Sequence, residues 1–173
     1  MALLLLLQST ALAAALPEHL LLADIGLHVV GVGYQHTIGP RLAAQVALEA
    51  YTPWTQNIDL LGLSGAAATG DTNGAVVRAR AYVYPFGAAP TGLWVSPFAQ
   101  AGVGWATRDE QREAGPLWAA GASVGYAGLV GRHFHLTFGL GAQYHTATYP
   151  GGAGSPSFSR FYPTLDGSVG YAF

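Results

Sequence analysis

The 173-residue chain has no cysteine and no lysine, and it carries few charges of either sign. Without cysteine there are no disulfides and no thiolate metal sites. The seven basic residues are all arginine, and the net charge is −2. That balance offers no basic footprint for nucleic acid, which is excluded as a partner. Charged residues make up only 9% of the chain, against about 25% in an ordinary soluble domain. A surface in water needs charge to stay dispersed, so the deficit points to a surface that meets something else. Past the N-terminus no apolar run reaches the roughly 18 residues that a membrane-spanning helix requires. A chain this apolar, with no helical span, must bury or expose its hydrophobic side chains in another way.

Glycine is abundant instead: 24 residues, about twice the usual share of roughly 7%. Many sit inside alternating apolar runs, as in "VVGVGY", "AGVGWA", "ASVGYAG" and "FGLGAQY". Glycine within a strand marks a place where one face is crowded, as the inside of a small closed barrel is. "PGGAGSP" reads as a loop. Residues 1–15, "MALLLLLQSTALAAA", read as a signal peptide. They combine an apolar stretch with small residues, and Ala13 and Ala15 supply an A-x-A cleavage pattern. No Arg precedes Arg41, so the usual basic start of such a segment is missing. Residues 16–173 then form the mature domain.

The mature chain reads as strands of period 2 separated by turns. "HLLLAD" is a short first strand, with a turn expected at Ile25–Gly26. In "LHVVGVGYQHT", Val30, Val32 and Tyr34 oppose Gly31, Gly33 and Gln35. In "RLAAQVALEAY", Leu42, Ala44, Val46 and Leu48 oppose Arg41, Ala43, Gln45, Ala47 and Glu49. "AVVRARAYVYPF" sets Val77, Ala79, Ala81 and Val83 against Arg78, Arg80, Tyr82 and Tyr84. "LWVSPFAQAGVGWA" sets Val95, Ala99, Val103 and Trp105 against Ser96 and Gln100. "LWAAGASVGYAGLV" follows the charged stretch "TRDEQREAG", which reads as a solvated loop. In "HFHLTFGLGAQYHTA", Phe134, Leu136, Phe138 and Leu140 oppose His133, His135, Thr137, Gln143 and His145. The closing "FYPTLDGSVGYAF" places Leu165, Val169, Tyr171 and Phe173 opposite Asp166 and Ser168.

These runs amount to eight strands of about 10–14 residues, joined by alternating short turns and longer loops. The expected fold class is all-β: an eight-stranded antiparallel up-and-down transmembrane β-barrel. Closure is what lets a sheet sit in lipid, because no unpaired edge remains. Tyr51, Trp54, Trp94, Trp105, Tyr126, Tyr144 and Tyr171 lie near strand ends and are expected to form two interfacial girdles.

The chain resembles the small eight-stranded outer-membrane β-barrel superfamily. The terminal "SVGYAF", with Val169, Tyr171 and Phe173 on one parity, resembles the signal by which the barrel-assembly machinery recognises its clients. "LLLADIGLHVVGVGYQHTIGPRLAAQVALEAY" resembles the opening hairpins of an uncharacterised-function family of such barrels. The resemblance spans essentially the whole mature chain. It implies the outer membrane of a Gram-negative bacterium as location, with outer-membrane lipids and the assembly machinery as partners. It implies little about activity, since such folds share architecture more than function.

On this reading Leu42, Val46, Leu48, Phe134, Leu136, Phe138 and Leu140 face lipid. Arg41, Gln45, Glu49, Arg78, Arg80, Gln100, His135, Gln143 and Asp166 form a polar lumen network. Glu49 and Asp166 are the carboxylates expected to neutralise Arg78 and Arg80, because buried charges are paired. An eight-stranded lumen is filled by side chains, so no open pore is expected. His133, His135 and His145 share one parity, but no further ligand is placed and no metal or other cofactor is assigned. The expected role is a monomeric scaffold presenting extracellular loops, not an enzyme. One alternative is a soluble lipocalin-like ligand-binding barrel, with the apolar parity turned inside. Another is a lipid-A-modifying outer-membrane hydrolase, for which "HFHLT" offers Thr where Ser is wanted and no acid is assigned.

Overall fold

The computed structural model describes residues 16–51, 72–108, 111–149 and 158–173. Eight strands run through them: β1 (His19–Gly26), β2 (Val29–Gly39), β3 (Leu42–Tyr51), β4 (Thr72–Phe86), β5 (Gly92–Arg108), β6 (Gln111–Val130), β7 (Phe134–Ala147) and β8 (Phe158–Ala172). Each strand pairs antiparallel with its neighbours in sequence, and β8 returns to β1, so the sheet closes in up-and-down order. Among the described residues no helix is long and apolar enough to cross a membrane.

The register fixes the stagger of the barrel. A circuit of facing residues leaves Asp24, passes Gly31, Glu49, Val76, Gly102, Leu117 and Ala147, and reaches Phe158 on β8. Asp24 itself faces Ser168. The offset between positions 158 and 168 is the shear, 10 residues. Closing a sheet with a stagger of this kind tilts the strands by about 35–45° from the barrel axis.

The period-2 patterns place their apolar sets outside. Val32, Leu48 and Phe138 are about three-fifths exposed, at 62%, 61% and 61%. The opposite parity is buried and polar: Asp24, Gln35, Gln45, Glu49, Arg78, Arg80, Ser96, Gln100, Ser123, Gln143 and Asp166 all point into the barrel. This is the inverse of a soluble ligand-binding barrel, whose apolar parity lines an internal pocket.

Three strands differ from the sequence reading. β1 runs through Gly26, and the turn is Leu27–His28, where the Leu27 amide donates to the Leu165 carbonyl at 3.1 Å. The larger difference lies in β5 and β6, which extend over 17 and 20 residues. The charged stretch expected as a loop continues the ladder as far as Arg108 facing Gln111. β6 residues 111–115 pair with β5 alone, beyond the reach of β7. The stretch is charged and lacks apolar alternation, yet its backbone keeps the ladder bonds, so from the sequence it reads as a loop. Residues 1–15, Trp54 and "PGGAGSP" lie outside the described residues. At one end the connections are Pro40–Arg41, Gly87–Thr91 and Gly131–His133; this is the short-turn end. Leu27–His28 lies at the other, the loop end.

Candidate functional site

The interior is layered. Across its middle, Arg78 and Arg80 project from β4 on one parity and meet carboxylates from two other strands, β3 and β8. Arg78 Nη1 donates to Asp166 Oδ1 at 3.3 Å, and Arg78 Nη2 lies 3.1 Å from Glu49 Oε2. Arg80 Nη2 lies 2.8 Å from the same Asp166 oxygen. The Glu49 and Arg80 contacts are ion pairs set off the hydrogen-bond direction. Arg78 Nε donates to Gln100 at 3.2 Å, and Ser123 donates to Asp166. Arg80 Nη1 donates to the Tyr82 hydroxyl at 3.1 Å, which donates to Gln45 at 2.8 Å. Gln45 Nε2 in turn donates to Asp24 at 2.6 Å. The Phe98 ring lies 5.5 Å from the Arg78 guanidinium and 5.1 Å from that of Arg80. These contacts tie β1, β3, β4, β5, β6 and β8 together across the lumen. Three carboxyls, on Asp24, Glu49 and Asp166, stand with two guanidiniums.

Toward the short-turn end the lumen is filled by aromatics. Trp94 meets Tyr82 edge-on at 5.2 Å, and Tyr82 stacks with Tyr84 at 6.3 Å. The indole Nε1 donates to Thr137 Oγ1 at 2.9 Å. Gly125 and Gly139 face one another on β6 and β7, and a methyl group at either would overlap the Trp94 ring. These two glycines are therefore the seat of the tryptophan. Ala89, from the β4–β5 turn, packs into the same cluster. His135 bonds through Nε2 to the Pro90 carbonyl at 3.1 Å.

Toward the loop end a second ring cluster sits above the charges. His28, Tyr51, His145 and Tyr162 come from the β1–β2 connection, β3, β7 and β8. The Tyr51–His145 and His28–Tyr162 centroids are 5.2 and 5.4 Å apart. Val29, Val76 and Leu117 pack beneath. His28 lies in a connection, and burial lowers its imidazole pKa to about 4.

Of the nine residues expected in the lumen network, Gln45, Glu49, Arg78, Arg80, Gln100 and Asp166 meet in the middle layer. His135 and Gln143 are also buried inside, at other levels of β7. Arg41 is not inside. It precedes β3 in the turn after Pro40, its side chain is exposed, and its carbonyl accepts from the Tyr84 amide at 2.9 Å. Parity carries a side chain inward only within the strand, and Arg41 stands in the turn at the rim. Tyr51 and Trp94, expected in the girdles, are buried within the barrel at 2% and 0% exposure. Each shares parity with an inward neighbour, Glu49 and Ser96 respectively, so a place near a strand end did not decide the face. The three histidines grouped by parity are spread apart. His133 is in the turn, its ring stacked on Tyr171 at 5.1 Å, while His135 and His145 occupy opposite layers. Among the described residues no set of three or more His, Asp or Glu could hold a metal ion. Asp24, Ser123, Tyr82 and Phe98 were not singled out from the sequence. For Asp24 the signal was there, since Leu20, Leu22 and Asp24 share the inward parity of β1.

The expected lipid-facing residues Leu42, Val46, Leu48, Phe134, Leu136, Phe138 and Leu140 are all exposed on the outer wall, as are Val169, Tyr171 and Phe173. Outward aromatics also run in a chain near the loop end, with Trp118–Tyr144 at 5.8 Å and Tyr144–Phe161 at 5.2 Å.

The chain matches no protein-family model and no curated protein. It is similar in fold to the crystal structure of Neisserial surface protein A, with a TM-score of 0.55 at 14% identity over 90% of this chain and 97% of that one. The N-terminal β-barrel domain of Pseudomonas aeruginosa OprF aligns over 90% of this chain and 95% of its own, at 14% identity and a TM-score of 0.48. CarO of Acinetobacter baumannii aligns over 91% and 98%, at 13% identity and the same TM-score of 0.48. The first of these places the chain in the architecture of small eight-stranded barrels.

Proposed function

We propose that this chain is an outer-membrane β-barrel of a Gram-negative bacterium and acts as a monomeric scaffold that presents its loop end outside the cell. The observation that carries the reading is the pairing of an apolar outer wall with a cross-linked, charged interior. The wall gives lipid an apolar band between outward aromatics, as a spanning barrel requires. The interior ties its guanidiniums to carboxylates on facing strands and caps them with ring clusters on both sides, which supports a role without an open pore. The outward row Val169, Tyr171 and Phe173 is the part of β8 offered to the barrel-assembly machinery. The reading as a lipid hydrolase finds less support. The Ser123–Asp166 pair belongs to the charged layer, and His135 is engaged with Pro90 instead.

Cell fractionation with heat-modifiable gel mobility tests the anchoring. The protein is expected with the outer membrane, and its mobility is expected to shift on boiling. Recovery as a soluble periplasmic protein would overturn the reading. Reconstitution into a planar bilayer tests the closed lumen: silence is expected, and steady unitary currents would show a pore.

A further inference from the structure

The outer wall is not uniform. Across β7, β8 and β1, and up to Leu27 of the β1–β2 turn, it carries a groove of about 320 Å³ lined by Ile25, Leu136, Phe138, Leu165 and Val169 around Gly167. The register explains it. Gly167 points outward and faces Phe138 on one side and Ile25 on the other, both large and exposed. Its backbone has no positive φ. A Cβ built there would find its nearest neighbours at 3.7 and 3.8 Å, so the fold leaves room for a side chain. Gly125 and Gly139 are different, because Trp94 fills the space they leave. What Gly167 leaves open is a hollow in the wall. A second outward glycine with open space, Gly128, faces Leu136 across the β6–β7 pair.

One of these strands, β7, begins at the short-turn rim in a cationic turn that joins it to β6. Arg132 and His133 are both exposed there. The His133 ring is held against Tyr171, with Nδ1 2.9 Å from the Ala172 carbonyl. From His133 to Phe138 is five residues, about 16 Å of strand, or about 12 Å of depth at the strand tilt. Half of a hydrocarbon core about 30 Å thick is about 15 Å. An acyl chain whose headgroup sits at the rim is therefore long enough to reach the groove. Arginine offers a planar fork that suits a phosphate.

We infer that this face binds one phospholipid of the leaflet at the short-turn rim, with its phosphate on Arg132 and one acyl chain in the groove over Gly167. The inference rests on the membrane-barrel reading proposed above. The groove is concave and apolar; at the rim Glu18 stands exposed at the foot of β1, and Arg132 offers the charge complementary to a phosphate.

The test uses the full mature protein inserted into vesicles of phosphatidylethanolamine and phosphatidylglycerol, extracted in mild detergent and weighed intact by native mass spectrometry. The wild type is expected to retain one phospholipid. Gly167→Phe fills the groove and is expected to lower the retained fraction about tenfold, the loss that follows from displacing roughly two buried methylenes. Gly167→Val, with less bulk, provides the same comparison if the larger side chain hinders assembly. Arg132→Ala is expected to lower retention as well. Ala99→Phe adds the same bulk on the outer face of β5 and is expected to change nothing. Retention that ignores position 167, or a mass showing a second copy of the chain in place of lipid, would overturn the inference. Protein that inserts and shifts on boiling, yet retains lipid regardless of residue 167, tells against the groove alone. Protein that never enters vesicles tells against the membrane reading.

Discussion

Asp166 lies within reach of both lumen guanidiniums and also accepts from Ser123, whereas Asp24 joins the network through Gln45. With three carboxyls beside two guanidiniums, the charge on Asp24 is the more dispensable. Asp166→Asn is expected to destabilise by about 3–5 kcal/mol, the usual effect of uncovering a buried charge. Asp24→Asn keeps an acceptor for Gln45 and is expected to cost less than about 1 kcal/mol, the size of one net hydrogen bond. Urea unfolding in vesicles measures both, and equal costs would show that Asp166 is not the centre of the network. A packing test complements it. Gly139→Ala crowds the Trp94 ring and is expected to cost about 1–3 kcal/mol, and Trp94→Phe in the same chain should restore part of that. If Trp94→Phe brings no relief, Gly139 is not the seat of the indole. Parity alone placed Gln45, Glu49, Arg78, Arg80 and Asp166 inside, because one period-2 rule governs every strand. It could not say which carboxylate meets which arginine, since pairing depends on register between strands far apart in sequence. Arg41 was misplaced for a related reason: its parity is right, but it lies in the turn at the rim, where its side chain is exposed.

Among the strands, β7 carries the clearest alternation, and its two faces fall as the sequence indicates. Phe138 stands on the outer wall and Gln143 within the barrel. Placing arginine on the outer face should cost an amount that depends on depth. Phe138→Arg lies midway along the wall and is expected to cost about 2–4 kcal/mol, whereas Phe161→Arg, in the aromatic chain near the loop end, is expected to cost about 0–1 kcal/mol. Refolding titrations into vesicles would read the difference, and equal penalties would deny that lipid meets this wall. β5 and β6 show where alternation stops being informative. Within the wall the faces of β5 read correctly, as Val95 outside and Ser96 inside attest. Beyond it, Arg112 covers the Trp105 ring at 5.1 Å, and a charged edge continues the ladder. Charge on an edge strand discourages pairing with other chains. It also hides the strand from a reading that takes charge for loop.

The whole molecule couples these layers through its stagger. A shear of 10 residues brings residues remote in sequence to one level, and the ring cluster at the loop end is assembled in this way from the β1–β2 connection, β3, β7 and β8. No short motif announces such a layer, which is why the sequence showed a polar interior without showing its caps. The cap makes the stability of the whole barrel depend on pH. His28 lies outside the spanning strands, and burial lowers its pKa from 6.5 to about 4. In the unfolded chain the imidazole takes up a proton as the pH falls below 6.5, while in the folded barrel it stays neutral until about 4. Its contribution is therefore fully present above pH 6.5, is lost progressively on acidification toward pH 4, and changes no further below that. The loss is on the order of 3 kcal/mol at most, from the size of the shift. His28→Phe keeps a ring beside Tyr51 and Tyr162 but removes the titration. Urea unfolding of the refolded protein at pH 7.5 and pH 4.5 should show a smaller drop for His28→Phe than for the wild type. The sensitivity left in the variant then reports on other groups, the carboxylates of the middle layer among them. Equal drops in both proteins would mean that His28 is hydrated in the folded barrel, and that the ring cluster does not keep water from the loop end of the lumen.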